Sequence, residues 1–283
     1  MSAVFPYSRE ERECCLDPLT EAIRARRRAG ATAIVGIQGG QGTGKSTIAA
    51  YVVDRLSREG FGIVCFSIDD FYAPCADRER LASQHPGNPF YRLPRGMPGT
   101  HGVEELLEAL SRLRAGEDVD LPVFDKAALG GRGERSDRVV PVRGRQDFAV
   151  FEGWCVGMPE CSAAELIEIC RRQEPETMSS MLNPEHVGAV LANARPYQRL
   201  WRLMDLFVML CPDSLLLHER WRLQQERELI ARRGAGMSEE QVRSLVRHFL
   251  PFTCLCYARA KPDLRVRIDS DHRLYACEKV SAL

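Results

Sequence analysis

The stretch GGQGTGKST, Gly39 to Thr47, constrains the fold of this chain more than any other. It carries the spacing G-x-x-x-x-G-K-[ST] at Gly39, Gly44, Lys45 and Ser46. Its flanks match what this motif requires. The apolar run ATAIVGI precedes it, and STIAAYVVDRLSREG follows with Ile48, Val52, Val53 and Leu56 at helical spacing. A strand therefore enters a glycine-rich turn and leaves as a helix. Glycines let consecutive backbone N–H groups turn inward around phosphate oxygens, and the helix N-terminus adds a favourable dipole. In that geometry Gly39, Gly40, Gln41, Gly42, Thr43, Gly44, Lys45, Ser46 and Thr47 cradle the phosphates of a nucleotide such as ATP. The Lys45 ammonium then reaches the β- and γ-phosphates, and the Ser46 hydroxyl ligates Mg²⁺. No G-x-G-x-x-G dinucleotide turn fits the same residues.

Four further apolar runs, FGIVCFSI, QDFAVFEGW, DLFVMLC and DLRVRID, are short and nearly continuous, with helical patterns among them. That alternation predicts a mostly parallel sheet buried on both faces, within a three-layer α/β/α fold. The 283 residues suffice for one large domain or two small ones. Neither a repeat nor a low-complexity linker divides them. The expected organisation is a polar helical lead-in over residues 1–30, interrupted at Pro18, and one nucleotide-binding domain over 31–283. Residues 73–101, rich in Pro, Gly and Arg, read as a long irregular insertion, which compact domains usually keep for function.

Lys plus Arg balance Asp plus Glu at 39 each, so nothing global points to nucleic acid or an anionic membrane as partner. No run approaches the roughly 20 apolar residues of a membrane span, and the N-terminus has no apolar segment resembling an export signal. The 11 cysteines are odd in number and lack paired CxxC spacing, which reads as reduced thiols in a cytoplasmic protein. The oligomeric state is not legible from these residues.

The second strand decides what kind of nucleotide protein to expect. The guanine-reading N-K-x-D of switch GTPases is not found in the sequence, whereas CFSIDDFYAP carries Asp69 and Asp70 at the carboxyl end of a strand, where open α/β sheets bind ligands. Neighbouring strand residues point to opposite faces, so if the strand runs that far only one acid can aim at the phosphates. A carboxylate there can accept the proton of an attacking hydroxyl. A helix N-cap or a solvated loop acid is the structural alternative.

At this point the residues resemble a known family. The phosphate loop followed by SIDDFY is similar to the phosphoribulokinase and uridine kinase branch of P-loop kinases. HPGNPFYRLPRGMPGTH (85–101), LPVFDKAALGGRGERSD (121–137), VFEGWCVGM (150–158) and WRLQQE (221–226) resemble, in order, D-glycerate 3-kinases of the plant type and their microbial relatives. The resemblance runs over roughly residues 31–275. It implies Asp69 as catalytic base beside Lys45, and a Mg²⁺ environment of Ser46, Asp69 and Glu152. It also implies an arginine-bearing lid over residues 218–248, where Arg220, Arg222, Arg227, Arg232 and Arg233 are available and Arg222 and Arg232 are taken as phosphate contacts. Arg232 and Arg233 serve equally well as charges complementing a helix end before Gly234. Ser238 to Gln241, SEEQ, reads as a capping box.

The implied reaction is transfer of the ATP γ-phosphoryl group to a small hydroxy acid, D-glycerate giving 3-phosphoglycerate. A carboxylate substrate needs cationic and hydrogen-bonding groups, and the resembling motifs offer Arg95, His101, Asp125, Arg132 and Arg135, with Tyr72 and Trp154 as walls. Each arginine has an ion pair as its plainer use, for instance Arg135 with Asp137 or Glu134. The sequence departs from the family pattern at Gly102, Ala127, Thr253 and Cys256. A kinase of the same branch acting on another acid, a nucleoside or a vitamin-like alcohol, and a non-catalytic nucleotide-binding regulator, are the alternatives.

Overall fold

The computed structural model describes residues 5–173, 181–234 and 236–280, the side chain of Arg233 excepted, so that this lid arginine lies outside the described residues. Along the chain the strands are β1 (Ala33–Gln38), β2 (Ile63–Ser67), β3 (Val119–Asp125), β4 (Glu134–Val142), β5 (Phe148–Gly153), β6 (Leu206–Pro212), β7 (Leu264–Ile268) and β8 (Leu274–Lys279). The longer helices are α1 (Asp17–Arg24), α2 (Lys45–Arg58), α3 (Cys75–Gln84), α4 (Val103–Ala115), α5 (Ala163–Gln173), α6 (Pro184–Ala194), α7 (Leu217–Arg233) and α8 (Glu239–Arg259).

Six strands form one sheet in the order β2-β5-β1-β6-β7-β8, parallel throughout except for β8 against β7. The adjacent interior strands β1 and β5 are buried at every position, as continuous apolar runs covered by helices on both faces must be. Strand alternation divides the core. Ile34 and Phe151 face one layer with residues of α4, α5, α6 and α8, while Val35 and Val150 face the other with α1 and α2. These four side chains have no exposed surface, and burying each contributes about 1.5–3 kcal/mol. The three-layer α/β/α architecture is the one the strand pattern implied.

Two local expectations need correction. Pro18 does not interrupt the N-terminal helix. It sits in the first turn of α1, where a missing N–H costs nothing, and the preceding residues Arg12–Leu16 pass through a widened π turn. Leu16, Leu19 and Ile23 of this polar-looking segment are fully buried beside α2. Residues 73–101 are not wholly irregular either, because CADRERLASQ forms α3 and Pro89–Arg92 a 3₁₀ turn. Ala, Arg, Glu and Leu in that run favour helix enough to outweigh the surrounding Pro and Gly. β3 and β4 stand apart as an antiparallel hairpin, whose connecting loop carries Lys126.

Candidate active site

The cradle forms where β1 ends beneath the N-terminus of α2. Gly42 and Gly44 both adopt φ of 81°, a left-handed conformation that side chains resist. Close approach adds a second reason for glycine. A Cβ on Gly40 would lie 2.3 Å from the His218 ring, and one on Gly42 would lie 2.7 Å from Trp221 Cβ. α7 thus packs directly on the outer wall of the loop. His218 Nδ1 donates to the Gln41 carbonyl (2.8 Å), which leaves Nε2 to accept from the Tyr257 hydroxyl (3.1 Å). That hydroxyl in turn accepts the Gly40 N–H at 3.1 Å. Burial pushes the His218 imidazole down to about 4, so it stays neutral in this network. No spacing in the sequence signals His218 or Tyr257, and the motif that opens at Trp221 does not reveal its contact with the loop, because all three arrive on helices remote in the chain.

Inside the cradle, Lys45 Nζ donates to the Gly40 carbonyl (3.1 Å), and Thr43 Oγ1 donates to the same oxygen (2.9 Å). Thr47 follows in the first turn of α2. Burial holds the Lys45 ammonium below the ordinary lysine range, opposed by the nearby carboxylates of Glu152 and Asp69. Glu152 lies near the end of β5, in register with Ile37 of β1 and Ser67 of β2. Its Oε1 accepts from the Ser46 hydroxyl at 2.8 Å. A carboxylate and a hydroxyl side by side at the foot of a phosphate cradle are the hard oxygen donors Mg²⁺ prefers, so these residues fit that ion.

Asp69 and Asp70 divide their roles, but not by strand alternation. β2 stops at Ser67, and Ile68–Phe71 makes one 3₁₀ turn. Ser67 Oγ accepts the Asp69 N–H (3.2 Å) while the Asp70 carboxylate accepts the Ser67 N–H (3.0 Å). This reciprocal cap, not the pleat, engages Asp70 and frees the Asp69 side chain. Asp69 Oδ2 accepts from Lys126 Nζ at 2.6 Å. Burial would raise the Asp69 pKa, yet Lys126, His101 and Tyr72 outweigh it and hold the carboxyl below its usual range. Asp70 shifts the other way, raised by burial despite its bond to Ser67.

Asp69 opens into a cavity of about 560 Å³ whose walls include Gln41 of the cradle, Tyr72, Arg95, Lys126, Arg222, Gln241 and Phe249. Arg95 is steadied by the Gly131 carbonyl (2.6 Å), and Arg222 by Glu226 (2.7 Å). Tyr72 stacks on His101 with centroids 4.3 Å apart. His101 itself is buried behind that ring, bonded through Nδ1 to the Tyr197 hydroxyl (2.8 Å), and burial pushes it down to about 4. Trp154 is also buried, donating its indole N–H to the Gly96 carbonyl (2.9 Å) and meeting Phe249 edge-on.

Other residues singled out in the sequence lie elsewhere. Asp125 accepts the Ala127 N–H (2.9 Å) and so shapes the hairpin loop. Arg132 pairs with Glu79, and Arg135 pairs with Glu105 while donating to the Tyr72 carbonyl (2.8 Å). Arg227 pairs with Glu239, and Arg232 with Glu228 on its own helix, three-quarters exposed. Gln241 closes the capping box at the start of α8 and also faces the cavity. None of the departures at Gly102, Ala127, Thr253 and Cys256 lines the cavity.

A three-layer sheet with a glycine cradle at the end of its central strand defines a P-loop nucleotide-binding protein. No protein-family model matches the chain, but individual proteins do. It is 36% identical over 223 residues to the kinase mug58 of Schizosaccharomyces pombe, covering 77% of this chain and 78% of that one. It is 29% identical over 228 residues to the chloroplastic D-glycerate 3-kinase of Arabidopsis thaliana, covering 77% of this chain and 46% of that protein. Among solved structures, D-glycerate 3-kinase from Cryptococcus neoformans superposes with a TM-score of 0.82 at 28% identity, covering 94% and 96% of the two chains. The chain belongs to the branch of P-loop kinases related to glycerate kinases, uridine kinases and phosphoribulokinase. Nucleotide binding and phosphotransfer come with that membership. No helix among the described residues is long and apolar enough to cross a membrane.

Proposed function

We propose that this chain is an ATP- and Mg²⁺-dependent kinase of a small hydroxy acid, with D-glycerate as the first acceptor to test and 3-phosphoglycerate as its product. The observation that carries the proposal is the cavity joining Asp69 to the cradle residue Gln41, with Lys126, Arg95 and Arg222 around it. The extensive similarity to two D-glycerate 3-kinases supports the same acceptor.

Each residue has a defined task. The backbone of Gly39–Thr47 binds the nucleotide phosphates, with Lys45 as their cation. Ser46 and Glu152 would hold Mg²⁺, with Asp69 as the third oxygen donor available to it. Bound Mg-ATP supplies the phosphoryl group and the charge neutralisation its transfer needs. Asp69 orients the acceptor hydroxyl and takes its proton, a contribution of about 10²–10⁴-fold. Arg222 of α7 lines the cavity and meets the phosphoryl charge, while residues 218–248 act as the lid. Tyr72 excludes water from the Asp69 side.

The test is ATP consumption by the purified chain against a panel of small hydroxy acids, nucleosides and neutral alcohols. D-glycerate is expected to stimulate turnover most. Stimulation by a nucleoside or vitamin-like alcohol instead moves the acceptor within the branch. Mg-ATP binding with no acceptor at all favours a regulatory nucleotide-binding protein.

A further inference from the structure

The Lys126 ammonium occupies an oxygen of Asp69, the residue proposed to receive the acceptor's hydroxyl. Nζ sits 2.6 Å from Oδ2, and the side chains are 57% and 24% exposed, so the pair stands at the cavity wall rather than in the core. A base whose carboxylate is held by a lysine on a four-carbon stem is ready to exchange that partner. The other cations of the cavity are less free. The Arg95 guanidinium donates to the Gly131 carbonyl, and Arg222 is tied to Glu226, which is itself buried and accepts the Met237 N–H (2.7 Å). Arg132 and Arg135, which the sequence motifs offer beside Arg95 for a carboxylate, are paired with Glu79 and Glu105.

Dimensions narrow the choice further. In a three-carbon hydroxy acid the carboxylate lies within roughly 5 Å of the terminal hydroxyl by ordinary bond lengths. If that hydroxyl binds Asp69, the cation meeting the carboxylate must lie within about 10 Å of Asp69, one hydrogen-bond length being added at each end. Lys126 already does. Its base is fixed, because Asp125 caps the Ala127 N–H and pins the loop on either side of it.

We infer that Lys126 is the residue that binds the acceptor's carboxylate, and that it does so by leaving Asp69 as the acceptor's hydroxyl arrives. The inference deepens the kinase reading and rests on it. The substrate's two functional groups replace the two halves of one ion pair. An anionic acceptor thus gives Lys126 a new partner and opens Asp69 to the hydroxyl in the same motion. A neutral alcohol offers Lys126 nothing, and the pair then competes with it for Asp69. Selectivity for acids over neutral polyols follows from this exchange.

Steady-state kinetics of the wild type, Lys126→Met and Lys126→Arg with D-glycerate and with glycerol test this. For Lys126→Met, the KM for D-glycerate is expected to rise about 30-fold, the loss of one charge-assisted hydrogen bond, while the KM for ATP changes less than about twofold. The preference for D-glycerate over glycerol in kcat/KM narrows by a similar factor, and Lys126→Arg restores much of it. The half-exposed pair makes the variant's melting temperature a simple control for folding. An unchanged KM for D-glycerate, or equal losses with both acceptors, overturns the inference and leaves the kinase reading standing. A wild type that phosphorylates neutral alcohols but no hydroxy acid overturns both.

Discussion

The Ser46 hydroxyl donates to Glu152 Oε1 across 2.8 Å, joining the first turn of α2 to the end of β5. The contact links residues 106 positions apart in the chain and brings together the two oxygen donors that fit Mg²⁺ beside the cradle. Glu152→Gln keeps the shape of this contact and removes its charge. The Mg²⁺ concentration for half-maximal activity is expected to rise about 10- to 100-fold, with the melting temperature little changed. An unaltered Mg²⁺ titration removes Glu152 from the metal environment.

Asp69 and Asp70 should separate cleanly in mutants. Asp69→Asn is expected to lower kcat by about 10²–10⁴-fold while the dissociation constant for ATP, measured by calorimetry, stays close to wild type. Asp70→Asn weakens the cap on Ser67 and costs about 0.5–2 kcal/mol of stability with a mild effect on kcat. Equal, mild effects on turnover would remove the base assignment.

The glycines of the loop are required by their neighbours as well as by their own backbone. In Gly42→Ala the new methyl meets Trp221 on α7, and a φ of 81° adds strain. A loss on the order of 1–3 kcal/mol is expected, together with weaker nucleotide binding. Gly30 also has positive φ but nothing within 4 Å, so Gly30→Ala is the control for strain alone. Equal losses in the two variants would show that the Trp221 contact contributes nothing.

Arg222 and Arg232 provide a matched pair on α7. Arg222→Met removes a cavity cation and leaves Glu226 buried without its partner, so both kcat/KM and stability should fall, the former by 10-fold or more. Arg232→Met removes an exposed ion pair and should change stability by less than about 1 kcal/mol. Comparable activity loss in Arg232→Met would mean that the end of α7 also reaches the phosphates.

Stability should fall in mild acid. His101 and His218 are buried with pKa values pushed down to about 4, below their ordinary 6.5. A depressed folded-state value means that the unfolded chain takes up protons first. The stabilisation is complete above pH 6.5 and is lost as pH falls toward 4. Between pH 6.5 and 5 each histidine costs on the order of 2 kcal/mol. Urea midpoints measured across this range should slope upward with pH, less steeply in His218→Asn. A flat profile contradicts the buried neutral state of both rings.

The sequence alone determined the parts whose physics is local. A strand, four glycine-spaced residues, a lysine and a helix must make a phosphate cradle, because backbone conformation and helix polarity act over a few residues. Apolar runs of strand length likewise required a sheet covered on both faces, and long ordered motifs carried the family. Tertiary structure decided what depends on distant partners. Asp70 was taken up by a cap that formed only because β2 stopped at Ser67. Arg132 and Arg135 went to glutamates on α3 and α4, and His101 went behind Tyr72, placements that residue type alone does not specify. Lys126 reached Asp69 across 57 residues because the β3–β4 hairpin folds its loop over the sheet's end. His218 and Tyr257 likewise reached the cradle only through the packing of α7 and α8. Ion pairing and burial are contests among all neighbours in space, and the linear sequence does not say who those neighbours are.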